Sequence, residues 1–405
     1  MRVAVFVAQF HALTGSQRGV LELVTNFPPE VCPVGVFPSD GVCAEEFRRI
    51  GIETHIVQAP ENLNLFEKAL PRMPMQNKAA VLLRELLPYN FKVARFLRQN
   101  QIDLLHCSSA RGTLVAGLAG RLAGIPIVWH NQSRMLFKGI FRAAPQVLAS
   151  QIILVSEALR PDIFGIFQRK CHVIHTGGFK VEDAALIEAQ TTKVKLPDDY
   201  EGDLVISAFS TITPFKGYHH LIEAARIIKQ RYKKLRPVFL VIAEIPTEKS
   251  DRFVYYDYLK GLISQYELDN FHFLGWQSNP FSYYAISDIA VMPSVEREQL
   301  SIGGATVEVQ GHESWGRVLS EAMYMGKPVV ASRIAGIPEQ VIDQETGILV
   351  PPGNPEAIAE ALIQLMDSPD LRQKMGQAGA TRIRELCSTE RIVDRVIALY
   401  RSLVK

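Results

Sequence analysis

The sequence predicts an α/β protein made of two tandem, doubly wound, Rossmann-like domains. Short apolar runs rich in Val and Ile, such as "RVAVFVA" and "PIVWH", alternate with longer helix-patterned segments such as "TLVAGLAGRLAG". Near-continuous apolar strands separated by helices are typical of parallel sheets that are covered on both faces. After Gly178 this alternation stops in a polar stretch, and it resumes at "LVISAFS", so we expect two such domains.

The domain boundaries follow from the same pattern. We expect a first domain at 1–185, a linker at 186–203 and a second domain at 204–387. Three helical stretches end the chain, and we expect the last, 388–405, to pack back on the first domain. Ligands of open parallel sheets bind outside the carboxyl ends of the strands, so two sheets that face each other would form a binding cleft there.

The bulk composition excludes several classes of protein. The chain has 405 residues, a formal net charge of +2 and 47% hydrophobic residues, and this near-neutral charge argues against a nucleic-acid binder. Its five cysteines include no CxxC pair and no Cys/His cluster at metal spacing, so we expect reduced thiols, a cytoplasmic protein and no metal site. The apolar start of the chain is expected to be a first strand rather than a signal peptide. No stretch reaches the roughly 18 uncharged apolar residues of a membrane span.

The stretch "GHESWGRVLSEAMYMGKPVVAS" places two carboxylates around a predicted helix start. Amides at a helix N-terminus suit a phosphate, and Gly316 would let a ligand approach the backbone. The eight steps from Glu313 to Glu321 would rise roughly 12 Å along a helix, comparable to a diphosphate with a sugar at each end. The alternative is that both glutamates are dipole partners on a solvated face. The donor-binding residues predicted for a nucleotide sugar are Glu313, Ser314, Trp315, Gly316, Arg317 and Glu321.

The segment "HESWGRVLSEAMYMGKPVVASRIAGIPEQVIDQETGILVPPGNPEAIAEAL" closely resembles the donor-binding stretch of the retaining family-4 glycosyltransferases of the GT-B fold. That pattern runs E, aromatic, G, then EAM, G-x-PVVAS, G-x-PE and TG-x-LV-x-PG, and all of these occur here in order. The likeness extends more loosely over nearly the whole chain. It implies the two-domain GT-B fold with a cleft. It also implies retaining, metal-independent transfer of a sugar from a nucleotide-sugar donor to an acceptor hydroxyl, with no cofactor.

Three residues are expected from this resemblance to be catalytic: His130, Lys216 and Glu313. Lys216, in "TPFKG", matches the lysine that contacts the donor diphosphate, and His130, which ends "IPIVWH", matches a histidine that contacts the donor sugar. No DxD-type acidic pair follows a strand, so the leaving diphosphate would need a cationic side chain and a helix terminus. Gly15, in the loop after the first strand, would allow close approach to a phosphate or the acceptor. The alternatives are an exposed lysine and a strand-end histidine that caps backbone groups.

The chain departs from the family pattern at several positions. Ser210 and Thr211 stand where the family usually has Gly-Arg, and we hypothesise that Arg317 compensates for the missing arginine. Glu244 replaces a glycine after the next strand. The loop 295–312 is longer than usual, and its glycines predict a flexible segment that covers or crowds the donor. These departures motivate an alternative function, a non-catalytic or weakly active relative that binds a nucleotide sugar or a partner protein. A sugar-nucleotide epimerase or a phosphorylase would not be expected to carry the whole pattern.

The acceptor is expected to be a glycan, a lipid-linked sugar or a small molecule. The stretch "NQSRMLFKGIFRAAPQVLAS" interleaves Arg134, Lys138 and Arg142 with apolar residues. Such a stretch suits contact with an anionic membrane, and equally a helix with its apolar face in the core. We therefore expect a cytoplasmic protein and leave open a peripheral contact with the inner membrane face. His219 and His220, on a basic helix, are expected to lie on the solvated surface.

Overall fold

The computed structural model describes residues 1–8, 15–64, 81–135, 139–177, 194 and 203–404. The chain divides into two compact units, Met1–Gly178 with Thr389–Lys405, and Phe179–Ser388. Each unit contains a parallel sheet with helices, which confirms the predicted α/β class of two Rossmann-like domains. The predicted linker 186–203 lies outside the described residues except for 194 and 203, and Gly178 lies outside them as well.

The first unit contains a seven-stranded sheet of order β3-β2-β1-β4-β5-β6-β7, in which every pair of neighbours is parallel. The strand order reverses between β1 and β4, as in a doubly wound fold. The strands are β1 Arg2–Phe6, β2 Cys32–Phe37, β3 Glu53–Ile56, β4 Leu104–Cys107, β5 Ile127–Asn131, β6 Gln151–Leu154 and β7 Cys171–Val173.

The helices of the first unit pack apolar faces on this sheet. Helix α5 (Ala110–Ala123) shows how local sequence determines where a helix begins and ends. At the start of this helix, the Ser109 side chain accepts a hydrogen bond from the Gly112 N–H (3.0 Å). At its end Gly124 adopts a left-handed conformation with φ 79°. The helices are α1 Gly15–Thr25, α2 Val42–Arg49, α3 Glu61–Asn64, α4 Leu87–Gln99, α5 Ala110–Ala123 and α6 Ile140–Leu148, with a π-helical turn Leu82–Leu86 and 3₁₀ turns Glu157–Asp162 and Gly165–Lys170.

The second unit contains a six-stranded parallel sheet of order β10-β9-β8-β11-β14-β15 and a separate two-stranded antiparallel hairpin. The order of the large sheet reverses between β8 and β11. The strands are β8 Leu204–Phe209, β9 Pro237–Ile242, β10 Phe271–Phe273, β11 Ile289–Met292, β12 Arg297–Ile302, β13 Ala305–Gln310, β14 Val329–Ser332 and β15 Ile348–Val350.

The helices of the second unit surround that sheet, and side-chain caps start the two long ones near the end of the unit. Asn354 accepts from the Ala357 N–H (3.0 Å) and Ser368 accepts from the Leu371 N–H (3.2 Å). The helices are α7 Tyr218–Arg231, α8 Phe253–Gln265, α9 Phe281–Ile286, α10 Arg317–Tyr324, α11 Ile337–Gln340, α12 Pro355–Asp367 and α13 Pro369–Cys387, preceded by a 3₁₀ turn Pro214–Lys216.

The segment 295–312, for which its glycines predicted flexibility, contains a regular hairpin formed by β12 and β13. Their register runs from Arg297 opposite Gln310 to Ile302 opposite Ala305. The two turn residues, Gly303 and Gly304, have φ angles of 57° and 81°, which a two-residue hairpin turn requires and glycine adopts without strain. The sequence signal was present, since two glycines separate two runs of alternating polar and apolar residues.

The last helix, α14 (Thr389–Leu403), belongs to the first unit. Its Tyr400 is fully buried, and the Tyr400 hydroxyl lies 2.6 Å from Nδ1 of His106 on β4. Arg395 donates to the carbonyl of Val173 (2.7 Å) at the end of β7. The chain therefore returns to the sheet with which it began.

Candidate functional site

In the second unit, the switch in strand order places the loops after β8 and β11 side by side. In open α/β sheets such a switch point is where ligands bind, outside the carboxyl ends of the strands. The segment after β8 contains Ser210, Thr211 and the 3₁₀ turn with Lys216, and the segment after β11 contains Ser294. These residues are therefore the first to examine for a binding function.

A glycine allows these two loops to touch. Gly217 has a φ of 70°, and a Cβ added to it would lie 1.9 Å from the carbonyl oxygen of Pro293. The Val295 N–H donates to the carbonyl of Phe215 (2.8 Å), which joins the same two loops a second time. Glycine is the residue that tolerates both the left-handed backbone and the close approach. This contact fixes the position of Lys216 beside the end of β11.

Lys216 forms an ion pair with Glu313, although 97 positions separate the two residues. Only 14% of the Lys216 side chain and 8% of the Glu313 side chain are exposed. Ser294 donates to Oε1 of Glu313 (2.9 Å), and the Lys216 Nζ atom lies 4.8 Å from the centre of the Phe215 ring. The structure thus brings together two of the predicted catalytic residues. It adds Ser294, two residues after the end of β11, which sequence reasoning missed.

The residues just before α10, whose amides we predicted to bind a phosphate, are buried. Ser314 is 6% exposed, Trp315 is 7% exposed, and Gly316 is buried as well. A Cβ added to Gly316 would lie 2.9 Å from Cε of Met292. The side-chain amide of Gln340 bonds to Gly316 twice. Its oxygen accepts from the Gly316 N–H (2.7 Å), and its nitrogen donates to the Gly316 carbonyl (3.0 Å). The sequence did not reveal this burial because Met292 and Gln340 come from β11 and α11.

A second set of contacts surrounds Glu321, one turn into α10. Arg317 lies 3.3 Å from Oε1 of Glu321, and the Tyr284 hydroxyl lies 3.2 Å from its Oε2. Burial, together with the nearby Glu321 carboxylate, holds the pKa of Tyr284 well above its usual range, so this hydroxyl keeps its proton. The structure therefore places the guanidinium of Arg317 beside Glu321, the carboxylate that we predicted to bind the ribose. Tyr284 had no signal in the sequence.

The position of the family's usual arginine is occupied by neutral residues. The buried Tyr218 hydroxyl donates to the carbonyl of Ser210 (3.2 Å) and lies 3.0 Å from its Oγ, while Thr211 is exposed. Glu244, the other departure after a strand, pairs with Arg252 at 2.8 Å. The Tyr218 hydroxyl thus anchors the loop after β8 by hydrogen bonds to Ser210. Neither Ser210 nor Thr211 contributes a charge.

His130, the remaining predicted catalytic residue, lies in β5 of the first unit and is buried. Burial lowers the pKa of His130 to about 4, so its imidazole is neutral at pH 7. Neither ring nitrogen has a hydrogen-bond partner among the described residues. Its ring packs edge-on against His106 with the centroids 5.3 Å apart. His106, in β4, forms a hydrogen bond with the Tyr400 hydroxyl. His175, which follows β7, forms one with the carbonyl of Val155.

A small cavity of the first unit adjoins His130. It is lined by Gly19 and Glu22 of α1, by His130 and His175, and by Val393 and Val396 of α14. Gly15 begins α1 and is exposed, but it is not among the lining residues. The rest of its predicted loop, 9–14, lies outside the described residues.

Part of the surface of the first unit is apolar. Ile140 and Ile166 are each 74% exposed, and Val147 and Phe164 are exposed as well. These four residues form what we call the α6 patch, since the Phe164 N–H donates to Gln146 of α6 (2.8 Å). The predicted basic residues are partly engaged nearby: Arg142 donates to the carbonyls of Pro161 and Asp162, and Lys138 lies outside the described residues. Among the described residues, no helix combines the length and the apolar character needed to cross a membrane.

The expectation that His219 and His220 lie on the solvated surface is wrong. Only 6% of the His219 side chain and 16% of the His220 side chain are exposed. Both face Glu298 on the hairpin, and the three residues form one cluster of metal-ligand type in the part of the chain that the structure describes. The basic composition of α7 hid this, because the partner comes from a distant strand.

Comparison with protein families gives two matches that together cover most of the chain. Residues 190–382 match the family described as glycosyl transferases group 1. Residues 43–177 match the family described as glycosyltransferase family 4. The first match contains the Lys216–Glu313 pair and the Arg317–Glu321 pair, and the second contains His130.

Individual relatives and solved structures agree with these matches. The capsular polysaccharide biosynthesis glycosyltransferase CapM of Staphylococcus aureus is 26% identical over 64% of this chain, and the match spans 63% of CapM. The MMP alpha-(1->4)-mannosyltransferase of Mycolicibacterium hassiacum is 25% identical over 83% of this chain and 82% of its own. The structure of Anabaena HepE in complex with UDP and glucose is similar over the full length of both chains, with a TM-score of 0.75 and 18% identity, which establishes a common fold.

Proposed function

Because this chain belongs to the family-4 glycosyltransferases of the GT-B fold, we propose that it transfers a sugar from a nucleotide-sugar donor to a hydroxyl of its acceptor. The acceptor is a glycan, a lipid-linked sugar or a small molecule, and the anomeric configuration of the sugar is retained. The observation that carries this proposal is the pairing of Lys216 with Glu313 at the switch point of the second unit's sheet. Similar proteins support it, since the HepE structure contains UDP and glucose and CapM is a glycosyltransferase.

The ion pair suits the chemistry of a leaving diphosphate. An ammonium group has three donors, so Lys216 can keep its bond to Glu313 while it donates to a phosphate oxygen. A cation held in a largely buried site stabilises charge that develops in the transition state more strongly than it would in water. In this proposal Lys216 stabilises the leaving phosphate and Glu313 accepts hydrogen bonds from the sugar hydroxyls. The transfer itself needs no metal ion or other cofactor.

The second set of contacts suits the ribose. The Glu321 carboxylate has about four acceptor sites. Arg317 and Tyr284 contact this carboxylate in the structure and hold it beside the segment that precedes α10. In this proposal Glu321 binds the ribose and Arg317 holds the carboxylate in place. The buried amides of Ser314, Trp315 and Gly316 would reach a diphosphate only after the segment moves.

His130 would contribute a neutral imidazole. Because burial keeps its pKa at about 4, His130 can accept one hydrogen bond and donate another at physiological pH, but it does not supply a positive charge there. Both ring nitrogens lack hydrogen-bond partners among the described residues, so both are available to a sugar hydroxyl. In this proposal His130 positions the reacting sugar and the acceptor.

The experiment that tests the proposal is a donor panel with the purified full chain. UDP-, GDP- and ADP-sugars are offered with and without candidate acceptors, in the presence of a chelator, and binding and donor cleavage are measured by calorimetry and product analysis. We expect one donor to bind and to be consumed with retention of configuration. Binding without consumption across acceptors would support the non-catalytic alternative, for which Ser210 and Thr211 are the motivation. Absence of binding to every donor would contradict both.

We also propose that the protein works in the cytoplasm and that the α6 patch contacts an anionic membrane surface. Exposed large apolar side chains next to cationic ones suit the boundary between headgroups and acyl chains. Arg169 and Lys170 lie three and four residues after Ile166 in the same 3₁₀ segment. In a flotation assay, we expect binding to anionic vesicles that is lost in an Ile140→Ser/Ile166→Ser double variant. Equal flotation of this variant, or none by the wild type, would contradict the contact.

A further inference from the structure

The hairpin of the second unit is joined to the start of α7 by three side chains. Glu298 on β12 lies with Oε1 2.8 Å from Nε2 of His219 and with Oε2 2.7 Å from Nε2 of His220. The three side chains are buried or half-buried, and one ligand atom from each lies within 4.8 Å of the other two. None of the three belongs to the proposed donor site.

The contact between His219 and Glu298 is short but lacks the geometry of a hydrogen bond. Nε2 of His219 and Oε1 of Glu298 are both without a hydrogen-bond partner among the described residues, although the two atoms are 2.8 Å apart. Neither an N–H nor a lone pair on Nε2 of His219 therefore points straight at the carboxylate oxygen. A buried polar atom in this state needs another partner.

The other nitrogen of His219 has the environment of a metal-bound histidine. Its Nδ1 lies 2.8 Å from the Tyr255 hydroxyl, which also accepts from the His219 backbone N–H (3.3 Å). A ligand histidine usually donates this second ring N–H to a fixed acceptor, which sets its tautomer and orientation. With the proton on Nδ1, Nε2 carries a lone pair only 2.8 Å from a carboxylate oxygen, and a cation bound to both atoms removes their repulsion.

Gly353 borders the cluster. A Cβ added to Gly353 would lie 3.7 Å from Nε2 of His220 and 4.0 Å from Oε2 of Glu298. Because glycine stands there, with a φ of 67°, this side of the cluster is not filled by a side chain of that residue.

We propose that His219, His220 and Glu298 bind one divalent transition-metal ion, with Zn²⁺ as the best match to two imidazoles and one carboxylate. With bonds of about 2.0–2.1 Å, tetrahedral ligand atoms are about 3.3 Å apart. The observed N–O distances thus need to widen only by about half an ångström. The ion fastens the hairpin to α7 and takes no part in sugar transfer. This departs from the sequence prediction of no metal site, which searched only for ligands close together in the chain.

The competing arrangement contains no metal. If Tyr255 donates to Nδ1 of His219, both histidines carry their protons on Nε2 and donate to Glu298, and the hairpin is held by hydrogen bonds alone. The two arrangements use the same residues, so removing one of them destabilises the hairpin in either case. Only a direct measurement of metal binding separates them.

The test uses the tag-free full chain, stripped of metal with a chelator and then titrated. We expect Zn²⁺ alone to bind with a stoichiometry of one, to raise the melting temperature, and to be replaceable by Co²⁺ with a visible d–d absorption. Glu298→Gln and His220→Ala are expected to weaken Zn²⁺ binding at least tenfold, while Glu308→Gln, an exposed acid on the same hairpin, leaves it unchanged.

The outcome does not depend on sugar transfer, since no donor is present. Absence of Zn²⁺ binding to the wild type at micromolar concentration overturns the proposal in favour of the hydrogen-bonded arrangement. Equal Zn²⁺ affinity of the wild type and Glu298→Gln also overturns it, because the ion then binds elsewhere. If either variant fails to fold, the stoichiometry and the Co²⁺ spectrum of the wild type still decide, since nitrogen and oxygen ligands without sulfur give no thiolate charge-transfer band.

Discussion

Lys216 and Glu313 are held in an ion pair that is largely hidden from water. Removing one partner of a buried pair leaves an uncompensated charge and costs several kcal/mol, whereas replacing both partners with neutral residues can cost little. Stability and catalysis should therefore respond differently when one or both residues are changed. This difference separates a structural role from a catalytic one.

We predict that Lys216→Met lowers the free energy of unfolding by about 3 kcal/mol and that the double variant Lys216→Met/Glu313→Gln recovers most of it. Donor turnover should stay at least about 100-fold below wild type in both, because the charge on the leaving phosphate loses its donor. Urea unfolding and a turnover assay measure the two effects. Lys229→Met, at an exposed lysine of α7, is the control. Near-normal turnover of the double variant would rule out a catalytic role for the pair.

Arg317 provides a second residue-scale test. The sequence hypothesis, in which Arg317 replaces the missing phosphate arginine, predicts a large loss of kcat in Arg317→Ala. The contact with Glu321 instead predicts a higher donor KM with a smaller change in kcat, because the ribose carboxylate loses a partner. We expect the KM effect to dominate. Steady-state kinetics with the identified donor separates the two hypotheses, and a KM at the wild-type value would contradict the positioning role.

The buried His130 should make stability depend on pH. Its pKa is about 4 in the folded chain and about 6.5 when unfolded, so the unfolded state binds more protons between these values. The contribution of His130 to stability is therefore complete above about pH 6.5 and is lost as pH falls toward 4. We predict that His130→Gln loses less stability than the wild type between pH 7.5 and 4.5, measured by urea unfolding. Parallel curves for the two proteins would contradict a lowered pKa.

At the scale of elements, short connections do more than join strands to helices. The 3₁₀ turn Pro214–Lys216 and the loop after β11 touch through Gly217, and the hairpin β12–β13 meets α7 through Glu298. Each contact depends on residues that are far apart in the chain. The positions of Lys216 and Glu313 are thus set by packing between loops.

We predict that Gly217→Ala reduces donor turnover and lowers the melting temperature. The added Cβ would overlap the Pro293 carbonyl and demands a left-handed backbone, so the turn that holds Lys216 must shift. Gly261→Ala is the matched control, since Gly261 lies inside α8 with nothing within 4 Å of its added Cβ. That variant should gain about 0.5–1 kcal/mol. A Gly217→Ala protein that behaves like Gly261→Ala would show that the loop contact does not matter.

At the scale of the whole chain, the last helix completes the first unit. Helix α14 buries Val396 and Tyr400, and the Tyr400 hydroxyl is the hydrogen-bond partner of Nδ1 of His106. The other ring nitrogen of His106 has no hydrogen-bond partner within the described part of the chain. This contact therefore joins the C-terminal helix to a central strand and satisfies one nitrogen of a fully buried imidazole.

We predict that Tyr400→Phe lowers the free energy of unfolding by about 1–3 kcal/mol, because it leaves the His106 Nδ1 atom unpaired while the ring stays packed. Calorimetric or urea unfolding of the full chain measures it. Tyr256→Phe, at a half-buried tyrosine of α8, is the control and should change stability less. Equal losses in the two variants would mean that the Tyr400 hydroxyl contributes no specific contact.

The sequence by itself determined the α/β class, the parallel sheets and most helices, because apolar periodicity and caps such as Ser109 and Asn354 act over a few residues. A resemblance in short segments also predicted Glu313 and Glu321 in one motif and Lys216 in another, "TPFKG". Only the tertiary structure decided that Ser294 contacts Glu313 and that Tyr284 contacts Glu321. It also decided that Ser314 to Gly316 are buried and that His219 and His220 lie beside Glu298. The physical reason is that hydrogen bonds and burial depend on distance in space. Strands β8 and β11, and the hairpin with α7, bring together residues that the chain keeps roughly 80 positions or more apart.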